Sequence, residues 1–232
     1  MYRHRARAGE LIRSALQERV GERMAPRTED VRRELARLRA ADPSLEQFGA
    51  RAHGYRLNPP LAEAEAVAVE EKLGITLPAE YREFVTQVGD GGAGPGHGVY
   101  ALRDVLAMGR KRWRRATKFA DPAQPFARPW TVTEAERFGG FPTHGLIALC
   151  ETGCGGGYGL VVTGTERGRV WAHNTAGFYA PACTRDPVYP AGATVADRLR
   201  INEQFHAALL APTNRVRLGF WDWYRWWLEG AG

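Results

Sequence analysis

Leu73-Gly74-Ile75-Thr76-Leu77-Pro78-Ala79-Glu80-Tyr81-Arg82-Glu83-Phe84-Val85 carries one helix end and one helix start, and it decides the fold. Gly74 stands where a left-handed C-terminal cap belongs, because it has no Cβ to clash there. Pro78 suits the first turn of a second helix, where its missing N–H would be unpaired in any case. Tyr81, Phe84, Val85 and Val88 then recur at i, i+3, i+4 and i+7, a single apolar stripe. Gly89 stops that helix, and Asp90-Gly91-Gly92-Ala93-Gly94-Pro95-Gly96-His97-Gly98 reads as a loop. Val99-Tyr100-Ala101-Leu102 reads as a short strand.

Upstream, Ala62, Ala66, Val69 and Leu73 line the inner face of the first helix, leaving Glu63, Glu65, Glu70 and Glu71 toward water. Thr28, followed by Glu29 and Asp30, marks an earlier helix start, since acids favour the positive end of a helix. A further amphipathic helix is expected from about Gly9 to Met24. Residues 1–53 hold twelve arginines against eight acids, a mixture typical of solvated helix faces.

Downstream, Leu146–Leu149, Gly159–Thr163 and Arg169–Ala172 read as strands joined by glycine-rich turns, which makes an antiparallel meander the natural topology. Gly153-Cys154-Gly155-Gly156-Gly157 is a hairpin turn; the Gly-Lys-Ser/Thr of a phosphate loop does not follow it. Val195, Leu199, Phe205 and Leu209 suggest a late helix. The last twelve residues hold four of the seven tryptophans, with Phe220, Trp223 and Trp227 on one helical face and Trp221, Tyr224 and Trp226 left off it. The expected architecture is α+β: a twisted, mainly antiparallel sheet with flanking helices. An N-terminal helical arm over residues 1–41, packed on the main domain, precedes it, and the main domain runs from 42 to 232.

The 232 residues carry a net charge of +6, with 44% hydrophobic and 25% charged residues, ordinary for a globular chain with a substantial core. No apolar run approaches a membrane span, and no uninterrupted apolar segment follows the basic first residues; the reading is cytoplasmic. Cys150, Cys154 and Cys183 are too few for a disulfide framework, and without a second pair at zinc-like spacing they read as structural thiols. No catalytic triad, metal set or cofactor motif can be assembled, so neither catalysis nor a cofactor is expected. Residues 103–128 hold eight basic and two acidic residues, with Trp113 and Phe119 interleaved. That run suits an acidic protein surface or, as a rival, nucleic acid.

Taken together, these motifs resemble the Smi/Knr cell-wall-regulator family of the SUKH superfamily. Leu73, Gly74, Leu77, Pro78, Tyr81 and Phe84 carry the resemblance. It extends upstream through Phe48-Gly49-Ala50, His53 and Tyr55, and downstream to Gly153, Cys154, Gly155 and Trp171. Gly96-His97 departs from the aromatic residues expected in many relatives, so neither position inherits a role. The resemblance implies a non-enzymatic domain whose bacterial members act as immunity proteins, binding and neutralising toxins. An adaptor or regulatory module is the alternative it leaves open. The candidate contact residues are Asp90, Gly92, Gly94, Pro95, His97 and Tyr100 on the glycine loop, with Arg112, Trp113, Arg114 and Trp130. The oligomeric state is not legible.

Overall fold

Gly74 ends a helix as expected, at φ 65° and ψ 33°, and the next N–H, that of Ile75, reaches back to the Glu70 carbonyl at 3.1 Å. These positions come from a computed structural model that describes residues 28–105, 121–126, 144–173, 179–182, 190–198, 200–201, 204 and 217–230. The helices are α1 (Thr28–Ala41), α2 (Ala50–His53), α3 (Glu63–Leu73), α4 (Ala79–Glu83) and α5 (Phe220–Leu228). Strands β1 (Leu146–Gly153), β2 (Gly156–Val161), β3 (Val170–His173) and β4 (Tyr179–Pro181) form one antiparallel sheet in chain order, so the fold is α+β.

Between α3 and α4, polar side chains pin the turn. Glu70 accepts the Leu77 N–H at 2.7 Å, and the Arg167 guanidinium donates to the Thr76 and Leu77 carbonyls at 3.0 and 2.9 Å. Glu70 therefore does not face water: its side chain is 13% exposed and also meets Arg82 at 3.4 Å, while Arg82 forms a forked pair with Glu63. Two partners on α3 make Arg82 the clasp between the helices. After Pro78 at φ −56°, α4 widens into a π-helical turn, Phe84–Val88, closed by the Gly89 N–H on the Phe84 carbonyl at 2.9 Å. Tyr81, Phe84, Val85 and Val88 are all buried, as the stripe requires.

The β1–β2 hairpin turns at Cys154 and Gly155, with φ of 50° and 74°. Positive values at both central residues match the right-handed twist of the flanking strands. A bulge between Ala148 and Cys150 resets the alternation, so Leu149 and Cys150 are both buried. Burial pushes the Cys150 thiol up to about 12, where it stays a neutral core group. Cys154 is exposed at the tip.

The tryptophan-rich helix is buried more completely than one helical face predicts. Phe220, Trp221, Trp223, Tyr224, Trp227 and Leu228 are buried, and Trp226 is half-buried. The reason is tertiary: α5 touches an element on each side. Phe84 meets the rings of Phe220, Trp221 and Tyr224 at 4.9, 5.8 and 5.0 Å, while Trp223 meets Tyr158 of β2 at 5.4 Å. Glu80 caps α5 from outside by accepting the Trp221 N–H at 3.1 Å, and Glu83 accepts the Trp221 indole N–H at 3.1 Å.

One further expectation changes. Val99–Leu102 is not a strand: only Gly92 and Val99 form a bridge, and residues 102–105 are helical. The chain falls into two compact units, residues 26–184 with 218–232, and residues 1–25 with 185–217. The first takes in α1, whose Val31 and Leu35 are buried and whose Thr28 hydroxyl donates to the Gln87 carbonyl at 3.3 Å. In the second, residues 195–198 are helical, and Thr194 exchanges hydrogen bonds with Asp197 at the start of that segment. The helix expected at 9–24 lies outside the described residues.

Candidate functional site

The glycine loop is tied down along its whole length. Ala93 N–H donates to the Arg56 carbonyl at 2.7 Å, and Asn58 donates from its backbone to Gly91 and from its side chain to the Asp90 carbonyl. From below, the Tyr224 hydroxyl donates to the Ala93 carbonyl at 2.8 Å. At its far end, the His97 and Tyr100 N–H groups donate to the Glu151 and Leu149 carbonyls of β1 at 2.8 and 2.7 Å. Gly96 lies so close to β1 that a Cβ there would sit 2.3 Å from the Glu151 carbonyl oxygen.

This anchoring redistributes the loop's candidate residues. Asp90 is 0% exposed, and both carboxylate oxygens are engaged. One accepts the Leu102 N–H at 2.6 Å, capping the 102–105 turn, and the other meets Arg103 Nε at 3.1 Å. It is thus a fold-holding acid, with no oxygen left to offer a partner. Gly94 and Pro95 are buried as well, while Gly92 and Tyr100 are half-buried. His97 alone of the six is exposed. Arg112, Trp113, Arg114 and Trp130 lie outside the described residues.

Beside His97 stands Phe48, which the sequence reading placed in the family resemblance but not among the contact candidates. Phe48 is 63% exposed, and its ring centroid lies 5.1 Å from that of His97. Asp42 builds the turn that carries it: its carboxylate accepts the Glu46 and Gln47 N–H groups at 2.7 and 3.1 Å and the Tyr55 hydroxyl at 2.8 Å. Desolvation raises the Asp42 carboxyl, but those hydrogen bonds outweigh it and leave it below its usual range. Burial and the bond to Asp42 push Tyr55 up to about 12. Gly49, at φ 78°, lets the backbone touch Gly96. A Cβ on Gly153 at the hairpin end would be 3.7 Å from the Phe48 ring and 3.9 Å from His97 Nε2. Three segments (42–49, 96–97 and 151–154) therefore converge on one exposed aromatic pair. The sequence marked Phe48 as part of the Phe48-Gly49-Ala50 stretch and as an aromatic residue in a polar turn before a glycine, but neither signal reports exposure.

Underneath, His53 accepts the Tyr55 N–H at Nδ1 (3.0 Å) and packs edge-on to Tyr55 and Trp227 at 5.3 and 5.6 Å. Burial, and then the nearby His97, push its imidazole down to about 4. The unfolded chain, with the ordinary value of 6.5, therefore binds more protons than the folded one between pH 6.5 and 4. Stability should be full above pH 6.5 and fall as the pH drops through that window. Denaturant midpoints measured from pH 7.5 to 4 should decline, and His53→Gln, which cannot titrate, should flatten that part of the curve.

Residues 60–190 match the SMI1 / KNR4 family (SUKH-1), more than half of the chain. The chain belongs to this family. A search of curated proteins returned no match. The matched region of the SUKH-1 domain contains the Leu73–Phe84 signature, the glycine loop and the sheet; Phe48 and α5 lie outside it. Within it, Leu77, Pro78, Tyr81, Phe84 and Trp171 are buried, Leu73 is half-buried, and Gly74, Gly153, Cys154 and Gly155 shape turns. The signature thus encodes the scaffold, and Phe48, contributed from before the matched region, stands exposed on it. Among the described residues, no helix is long and apolar enough to cross a membrane.

Proposed function

We propose that this SUKH-1 chain is a non-enzymatic protein-binding domain, an immunity protein that neutralises a bacterial toxin by covering part of its surface. The observation that carries this reading is Phe48: a largely exposed aromatic ring seated on His97, on backbone held by Asp42 and the Gly49–Gly96 approach. Aromatic side chains on preorganised backbone are the usual anchors of protein interfaces, because they bury much area at little entropic cost. Family membership supports the same reading, as SUKH proteins are commonly immunity or regulatory proteins. A simple nuclease inhibitor would be expected to be acidic, to match a basic nucleic-acid cleft. This chain carries +6 overall, which favours a toxin of another kind.

The test is a pull-down from the native host with the tagged chain, nuclease-treated and washed at high salt, run beside Phe48→Ala. One near-stoichiometric protein partner is expected, its affinity tenfold or more lower with Phe48→Ala (about 1.4 kcal/mol or more) while the unfolding midpoint is unchanged. Several weak partners would instead favour the adaptor reading. Nucleic acid recovered only without nuclease, and no protein, would sink both.

A further inference from the structure

We infer that His53 is an acid-sensitive latch on the turn that presents Phe48. As a neutral imidazole it holds Tyr55, and through Tyr55 the Asp42 turn; on protonation it lets that segment open. This deepens the binding reading above, as a control on the same face, and rests on it for its consequence, weaker capture in acid. The latch is one hydrogen bond and the strain that it holds. Tyr55 lies at φ 57°, in the left-handed region that residues other than glycine rarely adopt, and its N–H donates to His53 Nδ1 at 3.0 Å. From there the Tyr55 hydroxyl reaches the Asp42 carboxylate at 2.8 Å, and that carboxylate accepts the Glu46 and Gln47 N–H groups just ahead of Phe48. Leu45, in the same turn, is also left-handed, at φ 56°. Strained backbone of this kind persists only while its surroundings hold it.

Protonation undoes this geometry. Because Nδ1 accepts, the proton of the neutral ring sits on Nε2, which is buried without a hydrogen-bond partner. A second proton must go on Nδ1, where it would face the Tyr55 N–H, donor against donor. Among the described residues, the charge that acts on the ring is that of His97, from the glycine loop, and it opposes another positive charge. From α5 comes the uncharged ring of Trp227, and from α1 comes Arg39, bonded to the adjacent Gly54 carbonyl. The Asp42 carboxylate lies at the other end of the Tyr55 side chain. The segment can also open by itself. Among the described residues, every backbone hydrogen bond of 42–55 closes within 38–56, so opening breaks neither the sheet nor α5.

Hydrogen exchange of the full chain, read amide by amide by NMR and corrected for intrinsic rates, tests this without a partner. The closed ring titrates at about 4 and the open one at the ordinary 6.5, so opening grows as the pH falls through that window. Asp42, held below its usual range, stays ionised from pH 7.5 to 5 and adds no slope. Protection of the Glu46, Gln47 and Tyr55 amides should therefore drop about tenfold or more between those two values. At each pH it should stay below that of Gly89 and Val161, whose N–H groups are bonded to the Phe84 and Arg169 carbonyls. His53→Asn keeps an acceptor for the N–H two residues on but takes up no proton, and should hold all three amides level with pH. His97 remains in that variant, so any slope of its own would show there. Tyr55→Phe removes only the bond to Asp42: the amide at 55 should keep its pH dependence while Glu46 and Gln47 lose theirs. Protection that is flat with pH in the unaltered chain, that falls equally in His53→Asn, or that matches Gly89 and Val161 would overturn the latch. So would a Tyr55→Phe chain in which Glu46 and Gln47 still follow the pH. Each of these outcomes sinks the latch alone, whereas a pull-down that returns no protein partner sinks the binding reading.

Discussion

Phe84→Ala should destabilise the SUKH-1 domain by about 3–5 kcal/mol, the cost of deleting a buried aromatic ring. Phe84 is fully buried at the start of the π-helical turn, and its ring touches Phe220, Trp221 and Tyr224 of α5. The cavity cannot collapse easily, since those rings are held by other bonds. Glu80 and Glu83 fix Trp221, and Tyr224 donates to Ala93 in the glycine loop. Domains of ordinary stability have about 5–15 kcal/mol in total, so the variant should lie near the edge of folding. Urea unfolding followed by tryptophan fluorescence reads this directly, and Phe84→Leu, which leaves a smaller void, should lose less than half as much. A loss under about 1 kcal/mol for Phe84→Ala would mean that α5 is not seated on this ring.

Gly49→Ala should be the most damaging change of a single small residue, at ~3 kcal/mol or more. Two costs combine. At φ 78° an alanine is strained by about 1 kcal/mol, and its Cβ would lie 1.7 Å from the Gly96 carbonyl oxygen. Neither atom can swing away, because both belong to the backbone, and Gly96 is itself pressed against β1. Gly74→Ala is the control: its φ is 65°, but its Cβ would meet only the Ala123 Cβ, at 3.6 Å, so about 1 kcal/mol is expected. Equal midpoint shifts for the two variants would show that the Gly49–Gly96 approach is not rigid. A selective shift at Gly49 should also weaken partner capture, because Phe48 is the residue immediately before it.

The features legible in the chain are those whose physics is local. Gly74 and Pro78 act through their own φ angles, the Tyr81–Val88 stripe through helical spacing, and the Cys154–Gly155 turn through the conformations its residues can adopt. Each needs no knowledge of what lies across the fold, although Pro78 caps α4 from just outside its first turn and Phe84–Val88 widens into a π-helical turn. Glu70 and Asp90 looked like surface acids because a carboxylate is costly to bury alone. Both instead found donors distant in sequence, Arg82 and Leu77 for one, Leu102 and Arg103 for the other. The off-face aromatics Trp221 and Tyr224 are buried for a similar reason: α5 has a neighbour on two sides, which helical periodicity within one segment does not report.

The Gly74 helix end, the buried Tyr81–Val88 stripe, the antiparallel β1–β2–β3 order and the family signature were thus written into the chain, since backbone preference and hydrophobic period are properties of neighbouring residues. Which acids become internal clamps, which aromatics enter the core, and that Phe48 stands exposed beside His97 were decided only when segments 42–49, 96–97 and 151–154 met. Exposure is set by what the rest of the fold fails to cover, and that depends on contacts between residues far apart in the chain.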